Sequence, residues 1–119
     1  MHNFPNFDYI YNKNWAIYGN SYSLGLALTN EPCYVVSGDL IFDKKIINKL
    51  DKIDGNIIVC KNNENRSTKS VNVELTNDNK IKNIYSGKIK NPKDQESMGI
   101  FKITSKKILN TWKKNCLKN

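Results

Sequence analysis

Residues 33–43 read CYVVSGDLIFD, and the placement of the first five decides the fold. CYVVS is a continuous apolar run rather than an alternating one, bounded by Pro32 and Gly38, which is the pattern of a strand covered on both faces. Cover on both faces calls for helices on each side. Downstream, Asp43 is placed to cap a helix in DKKIINKLDKI (43–53), where Ile46, Ile47, Leu50 and Ile53 recur at helical spacing and Gly55 supplies the stop. A second continuous run, NIIVCK (56–61), predicts the next buried strand. Upstream, FDYIY (7–11) reads as a short strand, and Ser21 is placed to cap a helix over about 22–29, with Leu24, Ala27 and Leu28 on one face and Gly25 weakening it.

The second half changes pattern. NNENRST (62–68) is too polar to pack and reads as a loop, whereas VNVELT (71–76) and KIKNIY (80–85) alternate with period two about the Asn77-Asp78-Asn79 turn, predicting a hairpin with one wet face. MGIFKIT (98–104) forms a last strand, and Ser105 caps a terminal helix with Ile108, Leu109, Trp112 and Cys116 on one side and lysines on the other. The expectation is a single α/β domain over 1–119 with a mixed, mostly parallel sheet and helices on both faces.

Composition narrows the chemistry. A chain of 119 residues has room for one core, and 39% hydrophobic with 25% charged residues is the make-up of a folding globular protein. Cys33, Cys60 and Cys116 are odd in number and widely spaced, so neither a disulfide framework nor a zinc ribbon is available. His2 is the only histidine, which removes hydrolases built on a serine or cysteine with histidine. The net charge of +8 fits a polyphosphate partner as well as a polyanion, but every basic residue except Arg66 is lysine, whereas nucleic-acid surfaces lean on arginine. No apolar stretch approaches the length of a membrane span and the start MHNFPNFDY lacks a signal-peptide layout, so a cytoplasmic protein binding neither nucleic acid nor membrane is expected.

Ligands of open α/β sheets bind beyond the carboxyl ends of the strands, which directs attention to Gly38-Asp39. Asp39 suits Mg²⁺, and Gly38 allows close approach of backbone or ligand; an Asx-turn that merely opens the loop is the alternative. Two further segments, YNKNWAIYGNSYSLGLAL (11–28) and IKNIYSGKIKNPKDQESMGIFKIT (81–104), join CYVVSGDLIFD in the same order and spacing as in one family. Through Asn12, Trp15, Asn20 to Leu24 and Gly38-Asp39, the chain resembles the nucleotidyltransferases that join an NTP to a phosphorylated small molecule, most of all the choline-phosphate cytidylyltransferase branch.

The resemblance implies part of a nucleotide-diphospho-sugar transferase-like fold and a Mg²⁺-dependent transfer of CMP from CTP to phosphocholine or a sugar phosphate. It implies that Asn20 and Ser21 hydrogen-bond the pyrimidine edge, unless Ser21 is only a helix cap and Asn20 a turn residue. It further implies that Asp39 holds the metal, that Lys88 faces the acceptor phosphate rather than solvent, and that Gly99 lets substrate approach its strand. The family's opening glycine-rich phosphate loop is missing, so the chain is expected to be a fragment, inactive alone, that self-associates or pairs with a complementing N-terminal half. A nucleotide-sugar glycosyltransferase would place an Asp at position 37, where Ser37 stands, and a basic binding module would cluster its lysines, which are spread along every segment.

Overall fold

The computed structural model describes residues 8–38, 40–63 and 65–118. The elements run α1 (Asn20–Ala27), β1 (Cys33–Val36), α2 (Lys44–Asp51), β2 (Ile57–Lys61), β3 (Val71–Leu75), β4 (Ile81–Ser86), β5 (Gln95–Ile103) and α3 (Lys106–Leu117). They form two compact units, one of residues up to Pro32 together with those from Thr104, the other spanning Cys33–Ile103.

The larger unit is a five-stranded sheet in which every pairing is antiparallel. This overturns the mostly parallel sheet with helices on both faces. β1 and β2 run the same way, as the α2 crossover between them requires, but they are not neighbours, because β5 lies between them in the opposite direction. Phe101 is paired with both Val35 of β1 and Ile58 of β2, so these strands flank β5 on opposite edges. At the other end Glu96 is paired with both Lys61 of β2 and Asn72 of β3, which puts β3 on the same edge of β5 as β1. One nine-residue strand thus serves three neighbours.

Among the described residues β1 pairs with β5 alone, and its side chains are half-buried to exposed instead of covered on both faces. Of the three helices only α2 belongs to the sheet unit. Its start is as the sequence indicates, the Asp43 carboxylate accepting from the Lys45 N–H at 2.9 Å. Its end is closed by Lys102 of β5, whose Nζ donates to the carbonyls of Leu50 and Ile53, while Tyr34 of β1 donates to the Asp51 carboxylate. The β3–β4 hairpin turns at Asn79, whose φ of 62° is the left-handed conformation that asparagine tolerates. Val73, Ile100 and Asn72 are fully buried.

In the smaller unit α1 packs on α3 through Gly25. A Cβ on Gly25 would lie 2.8 Å from the Cys116 Cβ, so the glycine that weakens the helix locally is what lets the two helices approach. Lys113 of α3 closes the end of α1, its Nζ donating to the carbonyls of Gly25 and Leu28 at 2.6 and 2.7 Å. Ser105 caps α3 by accepting from the Ile108 N–H at 3.3 Å. The strand expected at 7–11 is not formed: Phe7 lies outside the described residues, and 8–11 carry no ladder.

Candidate functional site

β1 leaves the edge of β5 near Ile100 and β3 joins it at Glu96, so between them Ser97 and Met98 have no ladder partner on that edge among the described residues. The opening is a cleft of about 290 Å³ whose lining includes Ser37, Leu40, Ser70, Glu96, Gly99 and Phe101. Gly99 makes the opening possible. Its φ of +79° breaks the alternation of β5, and the register with β2 slips between Ile58 and Cys60 at the same level, a bulge of the kind that re-aims a strand. The Ser37 N–H donates to the Gly99 carbonyl at 3.0 Å, the last bond before the chains part.

Among the described lining residues Glu96 is the charged one. It accepts from the Ser70 hydroxyl at 2.6 Å and from the Asn63 amide at 3.0 Å, with the Lys61 ammonium 3.9 Å away. The Ser70 bond first, then the Asn63 bond, hold its carboxyl below the ordinary value of 4.5, so it is ionised at neutral pH.

Behind the cleft the only arginine of the chain ties three segments together. Arg66 donates from Nε to the Asn63 carbonyl at 2.8 Å, from Nη1 to the Asn72 Oδ1 at 3.0 Å and from Nη2 to the Asp94 carbonyl at 2.8 Å. Asn72 passes the connection on, its Nδ2 donating to the Gly87 carbonyl at 2.9 Å, while the Gly87 N–H donates to the Ser70 carbonyl at 3.0 Å. Tyr85 donates to the buried Asp94 carboxylate and accepts from the Lys90 N–H at 2.9 Å. Burial first, and then the Asp94 bond, push its phenol up. NNENRST, read as a loop too polar to pack, is held by polar bonds instead of apolar burial; the lone arginine among lysines was the visible signal.

The structure distributes the sequence-derived candidates unevenly. Gly99 lines the cleft, but the space a side chain would fill there is held by Ser37, whose Oγ would be 2.5 Å from an added Cβ. Gly38 is exposed, and a Cβ on it would meet nothing within 4 Å. Asp39 lies outside the described residues; Ser37 and Leu40, which bracket Gly38-Asp39 in the sequence, both line the cleft, and the Leu40 N–H donates to the Ser37 carbonyl at 3.2 Å. Lys88 is exposed and follows the doubly anchored Gly87, without being among the lining residues.

Asn20 and Ser21 belong to the smaller unit, where both are exposed on the first turn of α1. Ser21 is not a cap: the N-cap position falls on Gly19 and carries no side-chain bond. The hydroxyl that anchors this turn is that of Ser23, which accepts from the Asn12 amide at 3.0 Å.

The oxygens around the cleft suit a hard cation. Ser37 and Ser70 offer hydroxyls and Glu96 an ionised carboxylate with lone pairs to spare, the donor type Mg²⁺ takes alongside water and phosphate. Among the described residues no group of three His, Cys, Asp or Glu side chains converges as a self-sufficient metal centre. No described helix is long and apolar enough to cross a membrane.

These features define a small chain of three helices and an antiparallel sheet, with a cleft where a strand edge changes partner. The model of a family described as a domain of unknown function (DUF6564) matches residues 5–114, and the chain belongs to that family. Comparison with curated proteins and with solved structures gave no match.

Proposed function

We propose that this chain carries the metal- and acceptor-binding part of a nucleotidyltransferase, the class that moves a nucleoside monophosphate from an NTP, here CTP, to a phosphorylated small molecule such as phosphocholine or a sugar phosphate. One observation supports it most: Ser37 and Leu40, which bracket Gly38-Asp39 in the sequence, both line a cleft furnished with an ionised carboxylate. At about 290 Å³ the cleft has the scale of a small headgroup rather than a whole nucleotide.

In this reading Asp39 and Glu96 would hold Mg²⁺, which supplies charge neutralisation to phosphate oxygens and orients them. The chain's own residues do the positioning. Ser37 and Ser70 offer hydroxyls to phosphate oxygens, and the bulge at Gly99 keeps the β5 edge open beside them. Lys88, set on a glycine anchored through both its backbone groups, supplies a cation to the acceptor phosphate by a swing of its exposed side chain. No nucleophilic side chain is required, because the acceptor phosphate is itself the nucleophile: its oxygen bonds to the α-phosphorus of the NTP as the α–β phosphoanhydride breaks and pyrophosphate leaves.

The test is titration of the full chain with Mg²⁺ and phosphocholine, alone and together, followed by backbone amide shifts. Shifts at Ser37, Leu40 and Gly99 that need both components and vanish in Asp39→Asn are expected. Shifts that ignore Asp39, or that fall outside the cleft, would overturn the proposal. Because the 119 residues contain no glycine-rich loop to cradle a triphosphate, transfer from CTP should stay at background.

A further inference from the structure

The segment following Asp8 presents an unusual surface. Tyr9, Ile10, Tyr11, Trp15 and Ile17 are all exposed, from 54% for Tyr9 to 78% for Tyr11. Five large apolar side chains in nine residues exceed the scattered exposure that globular surfaces normally show.

The loop that carries them is fixed. Asn12, buried among them, accepts from the Asn14 N–H at 3.0 Å and donates to the Ser23 hydroxyl at 3.0 Å. Backbone bonds from Trp15 to the Asn12 carbonyl and from Ile17 and Tyr18 to the Asn14 carbonyl close successive turns, and the Tyr18 ring lies 4.7 Å from that of Tyr22 on α1. The polar side chain is therefore turned inward and the apolar ones outward, by bonds that hold whether or not anything covers the apolar face.

Charge selects among occupants. The unit to which the loop belongs carries six lysines; Lys113 is spent on the carbonyls of Gly25 and Leu28, and Lys13 within the loop and those at 106, 107, 114 and 118 stand against Asp8 and Glu31. A second copy would bring like charge to like charge. A nucleic acid would stack on the aromatic rings but leave Ile10 and Ile17 in water. An anionic lipid surface accommodates all of them: tyrosine and tryptophan at headgroup level, isoleucines at the acyl boundary, Lys13 against the acidic headgroups, with the positive balance of the unit adding longer-range attraction. We propose that residues 9–17 form a pre-ordered loop that docks on anionic membranes. This is surface attachment without a span, it departs from the sequence-based expectation of no membrane partner, and it stands independently of the nucleotidyl-transfer reading.

Trp15 provides the readout. In the full chain with Trp112→Phe, the Trp15 emission is followed against vesicles of phosphatidylcholine alone and of phosphatidylcholine with an equal part of phosphatidylserine. A shift to shorter wavelength and shielding from an aqueous quencher are expected with the anionic vesicles only, weakening with salt. Ile10→Ser and Ile17→Ser, both at exposed positions and checked for unchanged circular dichroism, should each lower the partition constant about tenfold. An unshifted emission, an equal response to both vesicles, a response to a single-stranded oligonucleotide instead, or a shift that follows protein concentration without lipid would overturn the proposal.

Discussion

Arg66→Ala tests whether the sheet unit is held by its polar network. The guanidinium serves three acceptors, and their fates differ once it is gone. The Asn63 carbonyl belongs to an outer loop where water substitutes, at little cost. The Oδ1 of Asn72 and the carbonyl of Asp94 belong to residues 0% and 4% exposed, where water does not reach. Each buried acceptor left unpaired costs about 1–3 kcal/mol. Some of this is returned because the charge of a half-buried guanidinium no longer has to be desolvated. A net loss of about 2–4 kcal/mol follows, a large share of the about 5–15 kcal/mol available to a small domain. Arg66→Lys should recover little, since one ammonium cannot serve acceptors that the planar fork reaches in three directions.

Urea unfolding of the full chain, followed by circular dichroism, measures the loss, and a cycle with Asn72→Ala isolates the pair. The double variant should be more stable than the sum of the single losses implies, because removing both partners leaves fewer orphaned groups. A loss under about 1 kcal/mol for Arg66→Ala, or strict additivity in the cycle, would refute the assignment of Arg66 as the tie between its own loop, β3 and Asp94.

Gly25→Ala adds helix propensity worth about 1 kcal/mol but sets a Cβ 2.8 Å from the Cys116 Cβ, an atom fixed to its own helix; overpacking of about 1–3 kcal/mol should outweigh the gain, and a raised melting temperature would contradict the packing argument. Glu96 has a folded-state pKa below its ordinary value of 4.5, so its contribution to stability is present above that value and is lost as pH falls through the lower folded-state pKa. Glu96→Gln should flatten the acid limb of the stability curve, with melts from pH 7 to pH 3 as the check, and an unchanged acid limb would count against the Ser70 and Asn63 bonds.

The sequence by itself determined the local elements, because their signals lie within a few residues. Asp43 and Ser105 announce helix starts by what their side chains do to the next turn. The alternation of 71–76 and 80–85 about Asn79 specifies a hairpin without reference to the rest of the chain. What no local pattern contains is the identity of a strand's neighbour. CYVVS is apolar enough to be covered on both faces, yet β1 sits at the end of a sheet, because among the described residues its only partner is β5, more than sixty residues away in sequence.

The same limit governs the site. Ser37, Ser70, Glu96 and Gly99 come from three separate segments and share a cleft only because β5 exchanges β1 for β3 along one edge. Gly25 illustrates it within a helix: propensity counts it as a defect, and only the partner helix shows why the space must stay empty. Local structure follows from bonds between near neighbours, which the sequence lists in order. Strand order, the cleft and the role of Arg66 follow from contacts between distant segments, whose free energy depends on which surfaces meet, and that was decided by the tertiary structure alone.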